Sequence, residues 1–449
     1  MRIQKPEGMT AFTMVWLGQV ASLIGSAMSH FAVGIWAWEK TGQATPMAMI
    51  GFFGFLPLIL ITPIAGVLVD RWNRKLVMAF SDIATGLTTI IMLVLAVTNT
   101  MEIWHLYILA AFNGIFGSFQ WPAYSAAISL MIPKKQYTRA SGMISLAETG
   151  SGILAPVLAG MLIGRIGIEG IFFIDIITLI FALFMLLLVT IPNVDRSQAV
   201  ETGRGNFWHE LEYGFHYLFS RASLLGLQLV FFFGNFFASI AYALIAPMIL
   251  ARTSGNATTL GSVQSVGAIG GVIGSLILTA WGGPKKKILG VLLGWIGTGF
   301  LGVALFGATW FIPVWMAANF LGNAIPPILN GSNQAIWQSK VAPDVQGRVF
   351  SVRRLVAQIT SPLSLLIAGP LADKVMEPAM QDQSTVLYRV LGPVFGTGPG
   401  AGMSIIIVVC GVIMALVGLM SFNFSKVRNV ETLLPDHDAG KEQVEPVQP

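Results

Sequence analysis

The chain has 449 residues, of which 55% are hydrophobic and only 10% charged. Soluble domains carry roughly 25% charged residues, so this composition excludes a chain that covers itself with a water-facing surface. The net charge of +5 is spread as short basic clusters between apolar runs, which is a pattern of membrane topology and not of nucleic-acid binding.

Apolar runs of about 20 residues, enough to span roughly 30 Å of hydrocarbon, recur twelve times along the chain. They lie near residues 12–38, 46–69, 76–98, 104–132, 139–164, 170–191, 223–250, 259–281, 288–308, 312–338, 348–372 and 402–424. The first run is too long for a signal peptide and reads as a membrane helix. The expected fold is an all-α membrane protein of twelve transmembrane helices in two six-helix bundles. Residues 1–191 form the first bundle, 192–222 a linker, 223–425 the second bundle, and 426–449 a disordered cytoplasmic tail. The single cysteine, Cys410, leaves no intrachain disulfide and no cysteine-based metal site.

Orientation follows from lysine and arginine. With the N-terminus inside, 21 of the 26 fall in cytoplasmic segments, including Arg71, Arg74, Lys75, Lys134, Lys135, Arg139 and Lys285 to Lys287. Only Lys40, Arg165, Arg252, Lys374 and Arg389 fall outside. This asymmetry places both termini in the cytoplasm. In the linker, Phe207, Trp208, Leu211, Phe215, Leu218 and Phe219 recur at helical spacing, which predicts an amphipathic helix on the inner leaflet that tethers the bundles. The halves also echo each other. Arg74-Lys75 corresponds to Lys286-Lys287, and Met131-Ile132-Pro133 to Val341-Ala342-Pro343. Two parallel repeats around a central path are how many secondary transporters are built.

Between the second and third runs stands Gly66-Val67-Leu68-Val69-Asp70-Arg71-Trp72-Asn73-Arg74-Lys75. It resembles the G-x-x-x-D-R-x-x-R-K loop motif of the major facilitator superfamily. The resemblance implies an inner-gate clasp made by Gly66, Asp70, Arg71, Arg74 and Lys75. Gly66 lets helix 2 approach a neighbour closely, and Asp70 meets the positive end of a helix from the other half. Arg71 and Arg74 pair with acids or lipid heads.

Glu39-Lys40-Thr41-Gly42, Gly51 to Pro57, Gly347-Arg348-Val349-Phe350-Ser351 and Ile367 to Asp373 are similar to the macrolide-efflux (Mef-type) and enterobactin-exporter-like branch of drug–proton antiporters. Two departures stand out. Asn113 occupies the position where that branch commonly has a helix 4 arginine. Val375 to Gly400 forms a longer outside loop than Mef-type proteins have, one that covers the outer mouth or meets a partner. Its Gly396-Thr397-Gly398-Pro399-Gly400 has neither the strand nor the lysine of a nucleotide loop and reads as a flexible turn.

Ionisable groups at membrane depth cost several kcal/mol unless they face a cavity or a partner. Three acids are coupling candidates. Asp82 is expected to pair with inside arginines and Asp175 to be a hydrogen-bonding acid of helix 6. Glu148 lies nearest the midplane, some 13 Å into helix 5 at 1.5 Å per residue, where it either carries the proton or meets a cationic part of the substrate. His30 reads as a packed hydrogen-bonding residue, and of Arg353 and Arg354 one faces the inner gate while the other snorkels. Asn113, Gln120, Trp121, Asn323, Asn330 and Gln334 are candidates for the substrate cavity.

No metalloprotease, nucleophile-elbow or Walker motif is present, which argues against an enzyme or an ATP-driven pump. The expectation is a monomeric, multi-pass protein of the bacterial inner membrane. It exports a bulky amphiphile by alternating access in antiport with protons, with no cofactor, metal or nucleic-acid partner. A siderophore exporter and a lysophospholipid flippase of the same superfamily are the alternatives.

Overall fold

The computed structural model describes Pro6 and residues 8–133, 136–191 and 207–436. Among these there is no strand. The first bundle comprises α1 (Gly8–Thr41), α2 (Ala44–Arg71), α3 (Arg74–Val97), α4 (Ile103–Met131) and α5 (Tyr137–Leu188). The α5 element is two antiparallel-capable arms joined at Gly167, whose φ of 68° and ψ of −179° are open to glycine but not to L side chains. A short linker helix α6 (Phe207–Phe219) precedes the second bundle, which starts with α7 (Ala222–Arg252) and α8 (Ala257–Trp281). Then follow α9 (Lys287–Gly307), α10 (Ile312–Lys340) and α11 (Arg348–Gln381), α12 (Val386–Phe395) and α13 (Ala401–Ser421). Ten of these helices are long and apolar enough to cross a membrane. Separating the two arms of α5 and adding the 29-residue α4 gives the twelve spans expected.

Helix starts follow local chemistry. Asn73 and Asn256 cap α3 and α8 by accepting from the backbone N–H of Leu76 (3.2 Å) and Thr259 (2.9 Å), which satisfies donors that have no partner inside the helix. Prolines 57, 63, 122, 156 and 247 sit within helices, a placement that neighbouring helices make tolerable in a membrane. In the first bundle α1 packs on α5, α2 on α4, and α3 between α4 and α5; in the second, α8 packs on α10 and α7 on α11 and α13.

Three expectations are modified. First, α6 docks on protein along part of its apolar face, while Phe219 stays exposed. Tyr217 and Leu218 are buried in the core of the second bundle, and Gly214 abuts the Arg348 carbonyl and the Val352 side chain. The side chains of Phe207, Trp208 and Leu211 lie outside the described residues. Second, residues 375–400 are not an open loop. Helix α11 runs on to Gln381, and α12 packs Leu387, Leu391 and Phe395 against Met380, Ala401 and Ile405. The Glu377 carboxylate caps the start of α13 by accepting from the backbone N–H of Gly400 (3.1 Å) and Met403 (2.9 Å). Third, the segment after α13 is folded as far as Asp436. The Glu431 carboxylate accepts from the N–H of Lys287 (3.1 Å) and Ile288 (2.9 Å) and so caps α9. The buried Lys340 ammonium donates to the carbonyls of Glu431 and Leu434 and pairs with Asp436 at 2.8 Å. Charge complementarity at a helix end and an ion pair hold this strap where composition alone suggests disorder.

Candidate functional site

With an even number of spans, both described chain ends lie at one end of the molecule. The bundles meet in the half remote from it. On one flank, Ser265 donates to the Ile153 carbonyl (2.6 Å) and Thr258 to that of Gly160 (3.1 Å), so α5 and α8 run in backbone contact. Gly261 makes this possible, because a Cβ there would overlap the Pro156 carbonyl oxygen. On the other flank, the Asp373 carboxylate at the far part of α11 caps the start of α2. It accepts from the N–H of Ala44 (3.0 Å) and Thr45 (2.7 Å) and from the Thr45 hydroxyl. Gly369 lies on Thr45, with room for no side chain: a Cβ would come within 2.5 Å of the Thr45 Cα.

Towards the chain-terminal end the bundles diverge. Gly152 is still near Ala268, but one turn on, Ser145 and Glu148 of α5 are exposed, as are Ser275, Thr279 and Trp281 of α8. The molecule is therefore closed at the remote end and open at the other.

Two cavities occupy this framework. One, of about 530 Å³, lies between the bundles under the closed end. Its walls are apolar, including Leu23, Phe31, Ile35, Met47 and Leu260, and only Ser26, His30 and Gln264 are polar. The other, of about 460 Å³, lies inside the first bundle and is polar on one side. There Asp82, 6% exposed, accepts from Gln19 (3.2 Å) and Gln120 (2.7 Å). Asp175, 4% exposed, accepts from the hydroxyls of Ser26 (3.0 Å) and Thr89 (3.1 Å).

The candidate residues distribute unevenly over this geometry. Asp82 and Asp175 share one cavity, and Asp82 is held by glutamines where arginines were expected, because α1 and α4 turn Gln19 and Gln120 towards it. Asn113 and Gln120 line the same cavity, inside the bundle and not between bundles. Glu148 is exposed, one turn beyond the Gly152–Ala268 approach of α5 to α8. Trp121 and Asn330 are exposed and line neither cavity. Asn323 donates to Asn319 (2.8 Å), which itself donates to the Val263 carbonyl (2.7 Å) and so ties α10 to α8. Gln334 accepts from Arg353 (2.8 Å), whose guanidinium lies 5.1 Å from the Trp337 ring centre; Arg354 is exposed.

His30 is exposed and forms a wall common to both cavities, not a packed position. Of the loop motif, a Cβ placed on Gly66 would meet nothing within 4 Å, so the close approach expected of it is absent in this conformation. Lys75 donates to the carbonyls of Val189 (2.6 Å) and Leu187 (3.2 Å) at the end of α5, a cation at a helix C-terminus. The Arg74 Nε is buried without a partner among the described residues. The side chains of Asp70 and Arg71 lie outside the described residues.

Sequence reasoning missed Asp373 as a contact between the bundles and Gln19, Ser26 and Thr89 as carboxyl partners. Signals for both were present. Gly369-x-x-x-Asp373 repeats the spacing of Gly66-x-x-x-Asp70, and Gln19, Ser22, Ser26 and Ser29 recur every three to four residues on one face of α1.

The model of the Major Facilitator Superfamily matches residues 15–365. Among curated proteins, the chain is 28% identical over 367 residues to Macrolide efflux protein A of Streptococcus pyogenes, covering 81% of this chain and 90% of that protein. It is 25% identical to the Multidrug efflux pump Tap of Mycolicibacterium fortuitum, over 79% of this chain and 88% of that one. Among solved structures, an inward-facing, unoccupied bacterial homologue of the human lysosomal transporter spinster aligns with a TM-score of 0.63 at 15% identity, covering 93% of this chain and 97% of that one. An inward-facing bacterial homologue of the iron transporter ferroportin aligns with a TM-score of 0.64 at 14% identity, covering 92% and 98%.

Proposed function

The chain belongs to the major facilitator superfamily, and from this premise we propose that it exports a bulky amphiphilic small molecule across the cell membrane by alternating access, in antiport with protons. The observation that carries this reading is the cavity between the bundles. It is apolar on most of its wall, has a few polar groups at Ser26, His30 and Gln264, and lies under the end where Asp373, Gly369 and Gly261 bring the bundles together. A large hydrophobic solute gains about 25 cal/mol for each Å² of apolar surface it removes from water there, while the polar groups orient it. The basic asymmetry orients the open end to the cytoplasm, so the solute is loaded from inside or from the inner leaflet. Relatives named for macrolide and multidrug efflux support a substrate of this class.

Alternating access then requires the closed contacts of Asp373, Gly369 and Gly261 to part while the cytoplasmic ends of the bundles close. The parted conformation is the release state. Coupling to protons supplies the direction, and no nucleotide is needed.

The test is uptake of the macrolide erythromycin into inverted membrane vesicles. Vesicles with an acidic lumen are expected to accumulate erythromycin when they contain the protein, and a protonophore is expected to abolish the accumulation. Accumulation in right-side-out vesicles alone would make the protein an importer. Accumulation that ignores the pH gradient would remove proton antiport, and movement of a fluorescent lysophospholipid in place of erythromycin would replace the substrate class.

A further inference from the structure

The cavity inside the first bundle is separate from the one between the bundles, and the two meet only across Leu23, Ser26 and His30 of α1. One face of α1 carries Gln19, Ser22, Ser26 and Ser29 into it, and the opposing face of α3 carries Asp82, Thr85, Thr88 and Thr89. Asp175 enters from the second arm of α5 and hydrogen-bonds Thr89, seven residues beyond Asp82 on α3. That places the two carboxyls roughly 10 Å apart along the helix axis at 1.5 Å per residue, with threonine hydroxyls between them. The result is a polar seam through an otherwise apolar bundle.

The seam is incomplete as a set of hydrogen bonds. Each carboxylate accepts from neutral side chains only, each bond contributing about 1 kcal/mol net, while a buried uncompensated carboxylate costs several. No lysine or arginine hydrogen-bonds either acid among the described residues; His30 is within electrostatic reach of Asp175. One group beside the acids lacks a partner among the described residues. The Gln120 Oε1 is buried without a donor next to Asp82, while the Ser29 hydroxyl faces Asp175. A protonated Asp82 carboxyl has an O–H to donate, and protonation removes the buried charge at either acid.

We propose that this seam is the binding site of the coupling proton, with Asp175 as the station reached from the cleft past His30 and Asp82 as the station towards the cytoplasm. The inference rests on the exporter reading for its role in transport and deepens it. Proton and substrate occupy opposite faces of α1 and do not compete for one carboxyl. Loading a carboxyl in the seam changes the hydrogen bonds that hold α1 to α3, α4 and α5, and α1 also walls the substrate cavity. Coupling therefore runs through the position of this helix. Glu148, in the open cleft, is outside the path.

Infrared difference spectra of the full-length protein in liposomes, taken between high and low pH, test this without transport. Protonated-carboxyl bands are expected, one lost in Asp175→Asn and another in Asp82→Asn, with both retained in Glu148→Gln. Ser26→Ala, which removes one donor and keeps the acid, is expected to move the midpoint of the Asp175 band without abolishing it, and it serves if an aspartate variant fails to fold. Erythromycin binding by Asp82→Asn is expected to persist while its dependence on pH flattens. Bands that survive both aspartate substitutions, or that vanish with Glu148→Gln, would overturn the proposal. So would spectra that respond to sodium chloride at fixed pH and not to pH, which would make the ligand an alkali cation. Absence of erythromycin efflux by the wild-type protein would sink the exporter reading while leaving these spectra to decide the seam.

Discussion

Asp373→Ala is expected to open the remote end of the molecule and to leave the protein folded. The Asp373 carboxylate accepts from two backbone N–H groups at the first turn of α2 and from the Thr45 hydroxyl. It joins the second bundle to the first at the one place where α11 overlies the N-terminus of α2. A carboxylate at a helix N-terminus contributes up to about 2 kcal/mol in a partly buried setting, and 1.4 kcal/mol is about a factor of ten in a two-state population. Alanine removes the charge and every acceptor, and the two N–H groups become free to meet water once the helices part. Neither bundle loses an internal contact, so insertion and stability should be close to wild type. A cysteine placed at Met47 in a Cys410→Ser background reports on the change, since Met47 lines the cavity under the closed end and Cys410 is buried. A membrane-impermeant maleimide is expected to modify it about ten times faster in Asp373→Ala. An unchanged rate would remove Asp373 from the gate.

Gly261→Leu should have the opposite kind of clarity, a near-complete loss of transport with normal insertion. The hydrogen of Gly261 faces the Pro156 carbonyl oxygen, and backbone cannot yield as a side-chain end can. Closing the remote end over a leucine would force α5 and α8 apart along the stretch where Ser265 and Thr258 now donate across the interface. Overpacking of this kind costs typically 1–3 kcal/mol or more, all of it charged to the closed state because the two helices are already apart in the other. Erythromycin accumulation in inverted vesicles should fall to the level of vesicles without the protein, whereas Gly255→Leu is no control, since its φ of 82° is itself restricted to glycine. Gly142→Leu, with open space around it, is the proper comparison and should retain transport. Transport by Gly261→Leu at the wild-type rate would show that α5 and α8 need not meet during the cycle.

The fold was legible because a membrane leaves few options for the backbone. Runs of about 20 apolar residues, a polar centre and a basic asymmetry suffice to set twelve spans in two bundles. What length and hydropathy do not encode is which face of each helix meets which neighbour, and the site depends on that. The depth read for Glu148 does not say whether the flanking helices are in contact at that level. Asp82 and Asp175 were legible as costly acids, yet their glutamine and hydroxyl partners come from helices far away in sequence. The Gly66-x-x-x-Asp70 loop drew attention by its arginines. Gly369-x-x-x-Asp373 has the same glycine and acid without the basic residues, and only the structure shows its acid capping a helix of the other bundle. The strap from Ser425 to Asp436 was hidden for a different reason: a polar, acidic segment looks unfolded until the helix end and buried lysine that bind it are in place.

Alternating access is the central claim, and reciprocal motion at the two ends tests it most directly. Spin labels at the exposed positions Gln43 and Val375 report on the remote end, and labels at Trp72 and Arg354 on the end that carries the termini. Both pairs span the two bundles. Distances measured by pulsed electron paramagnetic resonance in liposomes, with erythromycin and across a pH series, are expected to lengthen for the first pair under the same conditions that shorten the second. Two pairs that move in the same sense, or a remote pair that keeps one distance under every condition while transport proceeds, would contradict the account.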